Sequence, residues 1–531
     1  MKPELQTVVD WVDAHRDTLS GDHSTLWSFH EPAWREYRAA QWYVERLRQE
    51  GFEVESASAG MPTAFAARWT SPSGDGPNIA AWAEYDAVPA NSQEPVPYQK
   101  HRPGVSRLAA GFTEPHSAVG MGSLGAILAA KNAMERHGLK GTLRYFGEPA
   151  ENMCGAKVFH ASRGYYDGLD AAIAWRTSPL PALKNTCALE TLCGCYWSRI
   201  YTFEHRDTPG AAAGKAGPAS GATVTPQAAA RDPGALDALS LMYTTSKLLR
   251  DTALPHAGSW SVNEAILANG SATADNLPPR FAQIQYSWRC PTVEMAGKIL
   301  AVLDSAADQV ARMTRTHWRG DWVSRTRAGL PNRALAEIAY GNFEAVGAPT
   351  WSEPAREFAR ACQESLGFAP MSEPFIDGIE RMTPPAEAEA VIRSTLPAWQ
   401  THFGSDDYVE YTWHAPTVRI LVARPRLAPP EPGYVYPAWV GLACGGVPSI
   451  VDPVIQTAAK VIGSTIVDLL TSPDKLARCK EEFDERTGGG IGGRHWVAPL
   501  LDPGTMPPVG FAWPEYVTTA RGFDWSVLSG A

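Results

Sequence analysis

Hydrophobic positions change their period several times along the first third of the chain. Before Gly51, the run AAQWYVERLRQEGF repeats its apolar residues at helical spacing, and Gly51 is placed to stop a helix. Residues from about Lys2 to Gly51 are therefore expected to be helical. FEVESA, TAFAARW and NIAAWAEYDAV then read as strands, GMGSLGAILAAKNAMERHGL as an alanine-rich helix closed by Gly138, and LRYFGEPA as the next strand. Strands alternating with long helices predict an α/β domain with a mostly parallel sheet and helices on both faces.

Near Leu180 the pattern shifts. LETLCGCYWSRIYTFEH is a long alternating strand, and DTPGAAAGKAGPASGATVTPQAAARDPG after it reads as a flexible connection or insertion. A helix at ALDALSLMYTTSKLLRD, strands at SVNEAILANG and FAQIQYSWRCP, and a helix at VEMAGKILAVLDSAADQVARM predict a small open sheet backed by two helices. The earlier pattern resumes in TVRILVARP and IQTAAKVIGSTIVDLL, so the first domain is discontinuous. The expected division is 1–187 and 328–485 for its two parts, 188–327 for an inserted α+β domain, and 486–531 for a Gly/Pro-rich extension over the surface.

A chain of 531 residues exceeds one ordinary core, and 44% hydrophobic with 20% charged residues is globular composition. The net charge of -10, without any basic run, argues against nucleic acid as a partner. The first twenty residues are polar and carry Asp10, Asp13 and Asp17, unlike a signal peptide, and no uninterrupted apolar stretch is long enough for a bilayer. A cytoplasmic protein with no membrane partner is expected. The eight cysteines are scattered; Cys193 and Cys195 in LCGC lack zinc-knuckle spacing, so free buried thiols are expected.

Four short segments fall where strands or turns end, the place where open α/β sheets gather ligands: AEYDAVPA with Glu84 and Asp86, TEPHSAVG with Glu114 and His116, GEPAEN with Glu151 and Asn152, and WRTSP with Arg176. They supply carboxylates, an imidazole and a guanidinium. His402 and His414 are read as packed or surface groups, and the acidic run Asp406, Asp407 and Glu410 as a loop turning into a strand.

The order of EYDAVP, GMGSLGAILAAK, GEPAEN, ARDPGALDALSLM, DNLPPR, WRCP and GSDDYVEYTWHAPT resembles the zinc aminoacylase and carboxypeptidase family, in its aminobenzoyl-glutamate hydrolase-like branch. The resemblance spans nearly the whole chain. It implies a large catalytic domain, an inserted lid and dimerisation domain, a homodimer, and hydrolysis of an amide beside a carboxylate by two metal ions. Glu151 falls on the family's general base, and Asp86 would orient His116.

The implied metal ligands depart from the family. Its Cys-Gly-His pair falls on Glu114 and His116, the ligand glutamate after the base on Asn152, the histidine of WHP on Arg176, and the final histidine on Pro437. Arg176 cannot coordinate a metal and is expected near Glu114 or Glu151. The family's transition-state histidine falls on Gln227, while Asn276 and Arg289 match its substrate-side residues. Three readings follow. One is a metal-independent amidohydrolase-like enzyme on a small-molecule substrate, with Arg176, Glu151 and His116 in charge, which hydrolyses, condenses or cyclises. The second is a conventional metal-dependent amidohydrolase cleaving an N-acyl or N-aroyl amino acid, with one Zn²⁺ or Mn²⁺ on Glu114, His116 and a water or another ligand such as His414, and the third a non-catalytic binding protein on the same fold.

Overall fold

The computed structural model describes residues 1–178, 180, 183–205, 233–255, 258–270, 279–520 and 522–527. The main sheet is built from β1 (Glu53–Ser56), β2 (Phe65–Thr70), β3 (Asn78–Ala83), β4 (Thr142–Gly147), β5 (Ala171–Ser178) and β6 (Thr186–Cys187), joined by β11 (Thr417–Ala423) from far along the chain. Its order is β1-β2-β4-β3-β5-β11-β6. The central strands β4, β3, β5 and β11 run parallel, while β1, β2 and β6 pair antiparallel at the edges, so the sheet is mixed and its parallel part is the middle. In β3 every residue from Ile79 to Ala83 is buried, as a strand covered on both faces requires.

Three helices, Pro3–Ala14, Arg16–Phe29 and Tyr37–Gln49, precede β1, the last followed by Gly51 at φ 84°. The helix His116–His137 lies in the core and ends at Gly138, at φ 63°. Against it packs Pro448–Thr471, a 24-residue helix long and apolar enough by composition to cross a membrane, although Asp452, Lys460 and Asp468 interrupt its apolar run. Burial of 78% of its apolar window inside the protein accounts for that composition.

A second sheet, of order β10-β7-β9-β8, contains β7 (Cys195–His205), β8 (Ser261–Ala268), β9 (Phe281–Cys290) and β10 (Thr316–Arg325). It is antiparallel throughout and shares a core with the helices Ala235–Thr252 and Val293–Thr314. The β10 segment, THWRGDWVSR, is not predicted from the sequence because its burial does not alternate cleanly. Beyond the helix Pro473–Thr487 the chain is tied down. Arg35 donates to the Val509 and Phe511 carbonyls, Arg325 to Leu500 and Arg327 to Val497, before a hairpin of β12 (Pro514–Thr519) and β13 (Gly522–Val527). All eight cysteines are free and buried.

Two local devices position the side chains of the site. A Cβ at Gly120 would stand 2.2 Å from the Tyr43 hydroxyl and 2.9 Å from the Glu84 carbonyl oxygen, so only glycine lets the start of the His116–His137 helix seat against the end of β3. The GEPAEN turn passes through Ala150 at φ 56° and Cys154 at φ 50°, left-handed positions that cost a non-glycine residue about 1 kcal/mol or more each. Glu36 clamps that turn: one carboxylate oxygen accepts from the Ala150 N–H at 2.7 Å and the other from the Thr63 hydroxyl at 2.9 Å.

Gly120→Ala is expected to destabilise the protein by about 1–3 kcal/mol in urea unfolding, because neither the Glu84 carbonyl nor the Tyr43 ring can retreat freely. Burial and the neighbouring Asp86 raise the Glu36 carboxyl from 4.5 to about 8. A carboxyl raised on folding contributes stability that is full below 4.5 and lost as pH climbs towards 8. Glu36→Gln should flatten that part of the stability–pH curve; Glu31, raised to about 7 mainly by burial, leaves a residual slope common to both proteins. An unchanged slope in the variant would contradict the assignment.

Candidate active site

The carboxyl ends of the parallel strands converge on one buried ion network. β3 delivers Glu84 and Asp86, β4 leads through Glu148 to Glu151, β5 carries Arg176, and the helix start supplies His116. The 3-10 turn Asp407–Trp413, before β11, adds Asp407 with Asp406 as its cap, and the short helix Ala156–Ser162 adds Lys157. Except for the half-buried Arg176, all these side chains are buried.

Arg176 stands at the centre. Its Nη1 donates to Glu84 Oε2 at 2.6 Å and lies 3.0 Å from His116 Nε2; its Nη2 donates to Glu151 Oε1 at 2.7 Å and lies 3.6 Å from Asp406. Glu84 turns its second oxygen to Lys157 Nζ at 2.9 Å, and Lys157 also donates to Asp407 Oδ1 at 2.8 Å. Asp406 is in turn held by Arg419. On the other side, His116 Nδ1 bonds Asp86 Oδ1 at 2.8 Å and Nε2 lies 2.9 Å from Glu151 Oε2. Asn152 donates from its backbone and its amide to Asp86 Oδ2, at 3.0 and 2.9 Å.

The electrostatics follow from these contacts. Burial opposes the ionised form of Glu151, yet Arg176 and His116 outweigh it and pull the pKa down to about 2. Burial likewise opposes charge on His116, but Asp86 and Glu151 hold its pKa well above the usual histidine value, so the ring is an imidazolium and donates to Glu151. Nη1 of Arg176 then faces a protonated nitrogen and spends its hydrogen bond on Glu84. Burial raises Asp407, reinforced by Glu151, Asp406 and Glu84, against the pull of Lys157, and its Oδ2 has no partner among the described residues.

Among the described residues, two side-chain groups have donor atoms spaced for a metal ion: Glu84, His116 and Glu151, and Glu151, Asp406 and Asp407, each set within 4.8 Å. The first set does not fit an ion as it stands. The Arg176 guanidinium occupies its centre and His116 Nε2 carries a proton, so a dication would have to displace one cation and deprotonate another.

The sequence-derived residues divide accordingly. Glu151, His116, Arg176, Asp86 and Asn152 come together. Glu114 does not: it precedes the helix, outside it, its side chain is 41% exposed, and its nearest cation is Arg424 at 4.0 Å. The carboxylate beside His116 and Arg176 is Glu84 instead. Arg289, on β9, stacks on the Tyr196 ring at 4.8 Å and acts electrostatically on Cys154, two residues after Asn152. Gln227 and Asn276 lie outside the described residues. Pro437 caps the helix Ala438–Gly445. His402 bonds the Gly329 carbonyl and His414 bonds Asp167, both away from the network.

Sequence reasoning missed Lys157, Asp406 and Asp407. The signals were a lone lysine in the apolar run AKVFHAS right after GEPAEN, and two adjacent carboxylates in GSDD, which form a turn rather than a strand entry. A second buried chain, Ser58 to His160 to Glu148, with Tyr166 and Tyr411 donating to Glu148 at 2.7 Å, is satisfied at each link and braces the turn from below.

No family model matches the chain. It is 26% identical to a subunit of the p-aminobenzoyl-glutamate hydrolase of Escherichia coli (strain K12) over 369 residues, covering 69% of this chain and 70% of that protein. With the Xaa-Arg dipeptidase of Mus musculus it shares 27% over 315 residues, 57% of this chain and 61% of the relative. Its fold superposes on the aminobenzoyl-glutamate utilization protein of Klebsiella pneumoniae with a TM-score of 0.50 at 11% identity, covering 86% of this chain and 98% of that one. In sequence the chain is similar to these two hydrolases and in fold to the aminobenzoyl-glutamate utilization protein, and it is an aminobenzoyl-glutamate hydrolase-like amidohydrolase, an enzyme of C–N bonds.

Proposed function

We propose that the chain hydrolyses the amide of a small molecule bearing a carboxylate, of the p-aminobenzoyl-glutamate type, with the Arg176 guanidinium in place of a catalytic metal. The substrate class is that in the name of the Escherichia coli relative. The carrying observation is that Arg176 hydrogen-bonds Glu84 and Glu151 and abuts His116, the three side chains of the first candidate ligand set.

In the resting arrangement Glu151 is ionised but weakly basic, because two cations share its charge. A substrate oxygen that draws Arg176 away removes the larger of those cations, and the basicity of Glu151 rises as the substrate binds. Glu151 then takes a proton from water as its oxygen adds to the carbonyl carbon. Arg176 faces the developing oxyanion, and the His116 imidazolium, oriented by Asp86, protonates the leaving amine as the C–N bond breaks. Arg289, on the second sheet and acting electrostatically on Cys154, is the cation this reading assigns to the substrate carboxylate. The protein acts as a homodimer in the cytoplasm in this reading.

A second reading, a metal-dependent hydrolase, draws on the Glu151, Asp406 and Asp407 group and the unpartnered Asp407 oxygen. Hydrolysis of p-aminobenzoyl-glutamate after exhaustive chelation separates the two. The expected result is an unchanged rate with substoichiometric zinc and manganese, and a kcat lowered about a hundredfold or more in Arg176→Gln. Arg176→His should gain affinity for a divalent ion in calorimetry. Activity lost on chelation and restored by Zn²⁺ or Mn²⁺ would favour the second reading.

A further inference from the structure

Beside the ion network, at the carboxyl ends of β5 and β11, lies a cavity of about 230 Å³ that the chemistry above does not use. Arg424, Arg426, Tyr436, Pro437, Gly441 and Cys444 line it. Arg424 immediately follows β11, and its backbone N–H donates to the Ser178 carbonyl at the end of β5. Leu421 is level with Arg176 in that pairing, so Arg424 stands three residues, about 10 Å of extended strand, beyond it. Arg424 also reaches the loop into His116: its Nη2 donates to the Thr113 carbonyl at 3.0 Å, and Nη1 is 4.0 Å from Glu114 Oε2.

Two further features make this a site rather than a packing gap. A Cβ at Gly441 would find only Arg424 Nη2 within 4 Å, at 3.6 Å, so the missing side chain of this helical glycine is what leaves room in front of the guanidinium. The positive charge there is undercompensated as well. Arg424 has one carbonyl and one distant carboxylate, and the exposed Arg426 side chain has no hydrogen-bond or ion-pair partner among the described residues.

We propose that this cavity is a subsite for a second anionic group of the substrate, a carboxylate on a short aliphatic arm, with Arg424 as its anchoring cation. The proposal rests on the amidohydrolase reading above and assigns to Arg424 the carboxylate that such an amide carries in addition to the one beside the scissile bond. A guanidinium offers a carboxylate two parallel N–H donors, and the Thr113 bond leaves such a pair free on Arg424. Pro437, Ala438 and Cys444 give an apolar wall for the methylenes of the arm.

The test compares p-aminobenzoyl-glutamate with p-aminobenzoyl-glutamine, which differ only in the charge at the end of the arm, by calorimetry and by hydrolysis. The full-length wild type, Arg424→Gln and Gly441→Leu are used, the last filling the cavity without altering a charge, with thermal melts to confirm folding of each. The wild type is expected to bind the glutamate compound about tenfold or more tightly. Arg424→Gln should bring the two compounds close to equal, and Gly441→Leu should weaken the glutamate compound selectively. Hydrolysis of both compounds without preference, or a preference kept in both variants, overturns the subsite and leaves the amidohydrolase reading standing. Preferential binding abolished by the variants but without hydrolysis supports the subsite and overturns that reading. Binding of neither compound contradicts the subsite.

Discussion

The guanidinium of Arg176, pinned between Glu84 and Glu151, is the interaction on which the rest of the site depends. It keeps Glu151 ionised in a buried place, and Glu151 with Asp86 keeps His116 protonated. Lys157 performs the same service on the far side of Glu84, and Arg419 for Asp406, while Asp407, also bonded by Lys157, is still raised by burial. Cations and carboxylates alternate through the core, so each charge is met by an opposite one within hydrogen-bond range. Such a network resists the loss of a single member, since one deletion strands a buried charge and costs about 3–5 kcal/mol.

That alternation bears on metal chemistry. A dinuclear centre would bring four positive charges to these carboxylates, whereas here His116, Lys157, Arg176 and Arg419 already supply side-chain cations. Asn152 fits this balance. Its backbone N–H and side-chain amide, neutral both, donate to Asp86 and so hold the carboxylate that orients His116. Glu114, freed from any place at the centre, faces Arg424 at the rim instead.

Much of the architecture was legible because local signals agreed with the final packing. The buried parallel strand at NIAAWA, the glycine stop at Gly138 and the segment order all lead to the same sheet. The central site residues were legible for a different reason, their position at strand ends within an ordered set of motifs. What failed was long-range. Glu84 was visible in EYD, but nothing local says that it, rather than Glu114, meets Arg176; that depends on how close Gly120 brings the helix to β3. Lys157 resembled an ordinary helix lysine and Asp407 part of a surface acidic run, because the partners of Lys157, Glu84 and Asp407, lie 73 and 250 residues from it. The cavity at Arg424 depends on a missing side chain at Gly441, which no periodicity records.

The most direct measurement is a crystal structure of protein grown with zinc and without chelator, with anomalous data at the zinc edge. Planar guanidinium density between Glu84, His116 and Glu151, with no anomalous peak there, is the expected result. An anomalous peak at that position, with Arg176 swung away from Glu84 and Glu151, would contradict it.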